Sequence, residues 1–256
     1  LLVQSAQQEG FSFVNPSMES SIQFSAGGFG AEYGDKLSSV LDIRYKQPTE
    51  FAGSASGSLM GGSAHIEGTS KNNRFTHITG LRYKTTRLLL KTLDTKGDFN
   101  PSFSDIQTYL TFDITKKLEV SFLGNIAINR FDRAPTEGET LFGSLANTLS
   151  LRVYYDGIEL DKFQNYFGAL SLNYYPNKKL MLKFIGSAFR SDEKITYDIL
   201  RQYFLGSAER SMSGSRDSIV NIGIGTTLDH ARNYLESNIY TFEHKGTFFT
   251  NRGELR

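Results

Sequence analysis

The stretch Leu118-Glu119-Val120-Ser121-Phe122-Leu123-Gly124-Asn125-Ile126-Ala127-Ile128 decides the fold class. Leu118, Val120, Phe122, Gly124, Ile126 and Ile128 share one register, and Glu119, Ser121, Leu123, Asn125 and Ala127 share the other. Successive side chains of a β-strand point to opposite faces, so this period predicts a strand with one apolar face and one more polar face. The pattern extends in both directions. Upstream, Ile106, Thr108, Leu110, Phe112 and Ile114 alternate with Gln107, Tyr109, Thr111 and Asp113. Further upstream, Leu37, Ser39, Leu41, Ile43 and Tyr45 alternate with Ser38, Val40, Asp42 and Arg44. Downstream, three apolar registers run through Tyr166, Leu170, Leu172 and Tyr174, through Leu180, Leu182, Phe184 and Ala188, and through Val220, Ile222, Ile224 and Leu228. Weaker alternation covers 51–68, 74–84 and 234–249, for about nine strands in all. Helical spacing is nearly absent.

The charges sort with the registers. Across these six segments the apolar register holds no Asp, Glu, Lys or Arg, while the opposite one holds Asp42, Arg44, Asp113, Glu119 and Lys183. A charge facing lipid at a bilayer midplane costs about 2–4 kcal/mol, so a lipid-facing register is purged in this way. The other register is rich in Asn, Ser, Thr and Gly, and Tyr45, Tyr83 and Tyr174 stand at ends of apolar runs, as an interfacial girdle places them. The expected fold is all-β, an antiparallel transmembrane β-barrel wall. A soluble sandwich with one buried face also alternates and is the competing architecture.

Composition narrows the function classes. The 256 residues carry 28 Lys+Arg and 27 Asp+Glu, a net charge of +1, which removes the clustered basic field that a nucleic-acid surface needs. There is no cysteine, hence no disulfide framework and no thiolate metal site. No run approaches the ~20 apolar residues of a membrane-spanning helix. Hydrophobic residues make up 39%, beside 24 Gly, 20 Phe and 13 Tyr but only 5 Pro, a composition that suits strands apolar at every second position.

Connection lengths give a second signal, since outer-membrane barrels alternate short periplasmic turns with long outer loops. Thr115–Lys117, Pro176–Lys178 and Asp229–Asn233 read as tight turns, with long connections over 131–162 and 191–217 between them. The same parity puts 85–104 outside and Ser70–Asn73 inside, and leaves Gln47–Glu50 as a short outer link that breaks the rule.

Upstream of these strands lies Phe24-Ser25-Ala26-Gly27-Gly28-Phe29-Gly30-Ala31-Glu32-Tyr33-Gly34-Asp35-Lys36-Leu37-Ser38-Ser39-Val40-Leu41-Asp42-Ile43. This run resembles the plug-to-barrel junction of TonB-dependent outer-membrane receptors, especially those of Bacteroidetes-type bacteria. The residues that carry the resemblance are Gly27, Gly28, Phe29, Ala31, Glu32, Tyr33, Gly34, Ser38, Ser39 and Asp42. It implies that residues 1–35 end a plug domain and 36–256 begin a plugged barrel of 22 strands. It also implies an outer-membrane location, lipid around the barrel, TonB acting through a segment outside this chain, and in some receptors a surface lipoprotein partner. Physically, Gly27, Gly28 and Gly34 permit unusual backbone angles, and Glu32, Asp35 and Lys36 offer a polar clasp to the wall. The small residues Gly53, Ala55, Gly57, Gly61, Gly62 and Ala64 offer a plug close approach.

No catalytic constellation stands out, and neither a cofactor nor an enzymatic activity is expected. His65, His77, His230 and His244 lack metal-ligand spacing, and Gly223-x-Gly225 lacks the third glycine and helix of a dinucleotide site. Asp192 and Glu193, as strand neighbours, point to opposite faces. Ligand contact in a plugged barrel falls to the outer end, where Arg130, Phe131, Arg133, Tyr154, Tyr155, Tyr197, Arg201 and Tyr203 are the candidates. Three functions fit: energised import of a ligand, a receptor-like barrel acting as scaffold in an outer-membrane assembly, or a soluble carbohydrate-binding sandwich.

Overall fold

The computed structural model describes residues 15–30, 33–34, 38–92, 98–144, 147–209, 218–250 and 253–255. The fold is all-β and antiparallel, as the alternation requires. Strands β1 (Glu19–Ala26) and β2 (Ser39–Tyr45) pair only with each other. The remaining strands are β3 (Ala52–Ser58), β4 (Gly61–Thr69), β5 (Phe75–Thr85), β6 (Asp98–Thr115), β7 (Leu118–Ala134), β8 (Gly138–Ser144), β9 (Asn147–Asn177), β10 (Leu180–Glu209), β11 (Ser218–Thr250) and β12 (Gly253–Leu255). They form one ten-stranded sheet in which each strand lies beside its neighbour in sequence, except that β8 continues the line of β7 along β9. Pro135, which has no N–H to give to a ladder, falls in the break between β7 and β8. A short helix, α1 (Arg87–Thr92), sits between β5 and β6. Among the described residues the sheet is open, with β3 and β12 at its two edges.

Several sequence expectations shift at the level of strands. Residues 39–45, expected as the first strand of the wall, pair with β1 instead. The 51–68 stretch is a hairpin turning at Leu59–Met60, and Ala52 pairs with Glu67 beside the 70–74 turn. The Gln47–Glu50 link therefore lies at the end of the short turns, and the exception to the parity passes to the two-residue turn Leu59–Met60, which lies beside Thr85 at the end of the long connections. Asp229–Asn233 is no turn: β11 runs through it, Asp229 opposite Ile199 and Asn233 opposite Ile195. The expected long loops at 131–162 and 191–217 are largely strand as well. Polarity on both faces, read as a connection, here marks ladder extending beyond the apolar belt.

That belt is the main physical feature of the sheet. One face carries Leu118, Val120, Phe122, Ile126 and Ile128 on β7, Tyr166, Leu170, Leu172 and Tyr174 on β9, and Tyr240, Phe242 and Phe248 on β11. No second sheet covers it among the described residues; Leu170 is 55% exposed and Phe242 74%. A sandwich buries its apolar face, and no such cover is present among the described residues. Each apolar run is about 9–11 residues, the length a tilted strand needs to cross hydrocarbon. The belt then gives way to charge, with Arg130 and Asp132 following Ile128, and Arg190 and Asp192 following Ala188.

The upper edge of the belt is slanted against the hydrogen-bond register. Going up the outward face, the run of apolar and aromatic residues is first broken by a charge or an amide after Ile128 on β7, Tyr166 on β9, Ala188 on β10 and Tyr240 on β11, and apolar groups return higher up, as at Leu200, Leu228 and Ile224. Tyr166 pairs with Ile126, and Ala188 pairs with both Gly168, which faces Gly124, and Tyr240. From β7 to β11 the edge thus drops from the level of Ile128 to that of Gly124, four positions over three strand spacings. At about 3.3 Å per residue and about 4.8 Å per spacing this is a slope of about 40°. Barrel strands in a bilayer tilt by about 35–45°, which gives a level boundary this slant. On β6 the run ends at Ile106, opposite Ile126, so the slant belongs to β7–β11.

Candidate functional site

The opposite face is polar, and the β1–β2 pair reaches it. Asn15 and Met18, both buried, lie over Gly80 of β5, where an added Cβ would stand 2.5 Å from Asn15 Nδ2 and 2.9 Å from Met18 Sδ. Tyr45, the last residue of β2, stacks on Tyr109 of β6 at 4.9 Å between ring centres and accepts a hydrogen bond from Gln107 Nε2 at 3.1 Å. Gln107 is fully buried, as is Ile78. Beside them Arg82 and Asp105 form a buried two-point ion pair, Nε to Oδ1 at 2.9 Å and Nη2 to Oδ2 at 2.5 Å. Burial pushes the Glu19 carboxyl up, against the Asn15 amide and the Arg82 guanidinium. Burial raises the Tyr45 hydroxyl too, with Glu19 and Tyr109 adding to it.

The junction residues divide. Gly27 takes φ +81°, its N–H donating to the Ser38 carbonyl at 3.1 Å, whereas Gly28 and Gly34 stay out of the left-handed region. Ser39 pairs with Ala26. Gly28, Phe29, Tyr33 and Asp42 line one shallow cleft, in which Arg44 reaches Asp42 at 3.7 Å. The ring of Tyr33 lies under Lys245 Nζ of β11 at 5.5 Å. Ala31, Glu32, Asp35 and Lys36 lie outside the described residues. Of the six small residues of β3 and β4, Gly61 alone takes the inward register. Gly53, Ala55, Gly57, Gly62 and Ala64 fall on the apolar outward face, and Ser54, Ser56, Ser63 and His65 turn inward. The close approach is made at Gly80 instead.

The outer-end candidates sit on strands and separate by face. Phe131, Arg133, Tyr155, Tyr197, Arg201 and Tyr203 share the inward register; Arg130 and Tyr154 face outward. Arg201 stands directly opposite Tyr155 and bonds Asp229 at 2.6 Å. Arg133 pairs with Glu159, and Phe131 stacks on Phe99 at 6.1 Å. Tyr154 meets Phe204 edge-on at 5.4 Å on the outward side. Above Tyr166, β9 continues for 19 residues, ~63 Å of strand, so these groups ride on a tall wall of β9, β10 and β11 flanked by the end of β7 and by β8.

Alternation did not reveal a buried patch on the inward face just above the belt. Asn129, Asp161, Asn165 and Ser191 are nearly inaccessible, and each has a side-chain oxygen without a partner, as does Glu193 beside them. Register puts Asn165 opposite both Ala127 and Ser191, and Phe163 opposite both Asn129 and Glu193. Burial and the nearby Glu159 push the Asp161 carboxyl up to about 6. The sequence signal was only that these are polar residues on the non-apolar register. Among the described residues no three His, Asp or Glu side chains converge as a metal-ligand group. No helix is long and apolar enough to cross a membrane, which bears on helices alone.

No protein-family model matches the chain, and no curated protein matches it. Among solved structures, the ferripyoverdine receptor of the outer membrane of Pseudomonas aeruginosa, bound to ferripyoverdine, is similar with a TM-score of 0.35 and 9% identity. The match covers 90% of this chain and 42% of that one, so the chain spans less than half the length of that receptor. A likeness this low decides nothing about this chain.

Proposed function

We propose that the ten-stranded sheet is part of the wall of an outer-membrane barrel, that residues 15–45 belong to a plug held against its inner face, and that the whole protein imports a ligand under TonB. The observation that carries the membrane reading is the uncovered apolar belt, one bilayer deep, with an edge slanted by about 40°. Lipid is the solvent that such a face requires. The plug reading is supported by Asn15 and Met18, which lie over Gly80 of the inward face, and by Tyr45, which is bonded to the buried Gln107. The lumen of the 22-stranded barrel that the resemblance implies needs an obstruction. The domain boundary then falls in the 46–51 link rather than after residue 35, because β2 has its partner in β1 and the wall begins with β3. Energised import rests on the resemblance of residues 24–43 to a receptor junction.

A ligand-independent test uses the buried Gln107. In whole cells expressing the full-length protein, a Gln107→Cys variant should react with a membrane-impermeant maleimide faster when the cells are energised, and a protonophore should abolish the difference. Labelling indifferent to energisation would favour the scaffold role. A full-length protein without heat-modifiable gel mobility would contradict the barrel itself.

A further inference from the structure

Just above the belt, on the outward face, three cations stand in one register row. Arg130 of β7 pairs with Lys162 of β9, and Lys162 pairs with Lys194 of β10. Directly opposed residues in an antiparallel ladder have Cβ atoms about 4.5–5.5 Å apart, and like charges placed so destabilise the sheet. Neighbouring acids do not relieve the two lysines. Asp132 is held by Arg130 at 2.9 Å, Asp192 and Glu236 by Arg190 at 3.0 and 3.3 Å, and Asp198 by Arg232 at 2.5 Å. Among the described residues no carboxylate pairs with Lys162 or Lys194, and both lysines are exposed. Lys194 Nζ does lie over the Tyr234 ring, at 5.5 Å.

Height and neighbours say what anion fits. Down β9 from Lys162, the outward face runs through Gln164, which donates to the Tyr166 hydroxyl, to the apolar track of Tyr166, Leu170 and Leu172, so one amide separates the row from that track. A free anion in water uses only the charge; an amphiphile uses both the charge and the track. On the membrane reading above, we propose that Lys162 and Lys194 bind the phosphate of an anionic lipid headgroup in the outer leaflet, its acyl chains lying along Tyr166 and Leu170. The phosphate sits between the two ammonium groups and removes their mutual repulsion, while Tyr234 and Arg130 flank it.

The test uses the full-length protein in phosphatidylcholine nanodiscs titrated with a fluorescent diphosphorylated glycolipid (lipid A), with heat-modifiable mobility confirming that each variant is folded. Lys162→Gln/Lys194→Gln should bind the glycolipid about 30-fold more weakly than the parent, since each lysine at a charged membrane surface counts for about a factor of five. Lys162→Arg/Lys194→Arg should bind nearly as well as the parent. Millimolar inorganic phosphate should displace little of it. Equal binding by the Gln variant overturns the proposal, and so does displacement by inorganic phosphate at the glycolipid's own concentration. A protein that never enters the discs in heat-modifiable form overturns the membrane reading and this one together, whereas a folded, inserted protein with an indifferent Gln variant overturns this one alone.

Discussion

Gln107 of β6 donates from Nε2 to the hydroxyl of Tyr45 at 3.1 Å, joining two sheets that share no ladder. Gln107 is fully buried and Tyr45 half-buried, and the bond lies beside the stacked rings of Tyr45 and Tyr109. Removing the hydroxyl in Tyr45→Phe leaves the ring stacking in place and strips Gln107 of an acceptor. The expected cost is about 1 kcal/mol, typical of one neutral hydrogen bond. Thermal unfolding of the full-length protein in detergent, followed by proteolysis within residues 15–45, measures it.

Gly80 permits the approach of Asn15 and Met18, and both clashing atoms are tips of flexible side chains. Gly80→Ala should therefore be tolerated with a small loss. Gly80→Phe fills the space and should expel residues 15–18 from the wall. The expected result is a barrel that keeps its heat-modifiable mobility while these residues become sensitive to added protease.

The Arg82–Asp105 pair is buried on both sides. Asp105→Ala removes the two-point partner of a buried guanidinium and should cost about 3–5 kcal/mol. Replacing both with apolar residues of similar size, Arg82→Met with Asp105→Leu, should cost far less. Urea midpoints of the two variants give the comparison.

Adjacent residues at mid-belt should respond in opposite ways to the same charge. Leu170 faces outward and Ser171 inward, so Leu170→Arg should lower stability in lipid vesicles by about 2–4 kcal/mol while Ser171→Arg changes it little. In a soluble sandwich with a dry apolar core both sign and size would depend on packing instead.

Asp161 carries a carboxyl raised from 3.8 to about 6. The folded state thus holds this proton more tightly than the unfolded state. The stabilisation from it is present below about pH 4, is lost as pH rises to about 6, and is flat beyond. Asp161→Asn should flatten that part of the profile, which thermal midpoints at about pH 4 and about pH 7 would show. An unchanged slope would mean that Asp161 is better solvated than its burial indicates.

Much of this wall is legible in the sequence because one face meets an apolar solvent. Leu118–Ile128 and Ile106–Ile114 have the register expected of them, since a slip by one residue would put Glu119 or Asp113 on the apolar side. Beyond the belt that constraint ends. Asp229–Asn233 carries polar groups on both faces because both sides of β11 lie above the belt there, and polarity alone resembles a turn. Ser39–Tyr45 shows the other limit: alternation reports a half-covered strand, and it is the same whether the partner is a wall strand or β1. The buried oxygens of Asn129, Asp161, Asn165 and Ser191 were invisible for a related reason, since alternation tells which face a side chain takes and not what covers it. Of the outer-end candidates, the Tyr155–Arg201 juxtaposition needed the register of strands that the sequence presented as loops.

Spin-label accessibility along β9 tests the central claim most directly, and these 256 residues hold no cysteine. Single cysteines at each position from 164 to 174, introduced in the full-length protein in lipid vesicles, would be labelled and relaxed by oxygen and by a water-soluble nickel chelate. Oxygen accessibility should peak at 166, 168, 170, 172 and 174 and fall at the positions between, with the chelate excluded from those peaks. Chelate access at 170 and 172 equal to that at 164, or no period of two, would show that this face does not meet hydrocarbon.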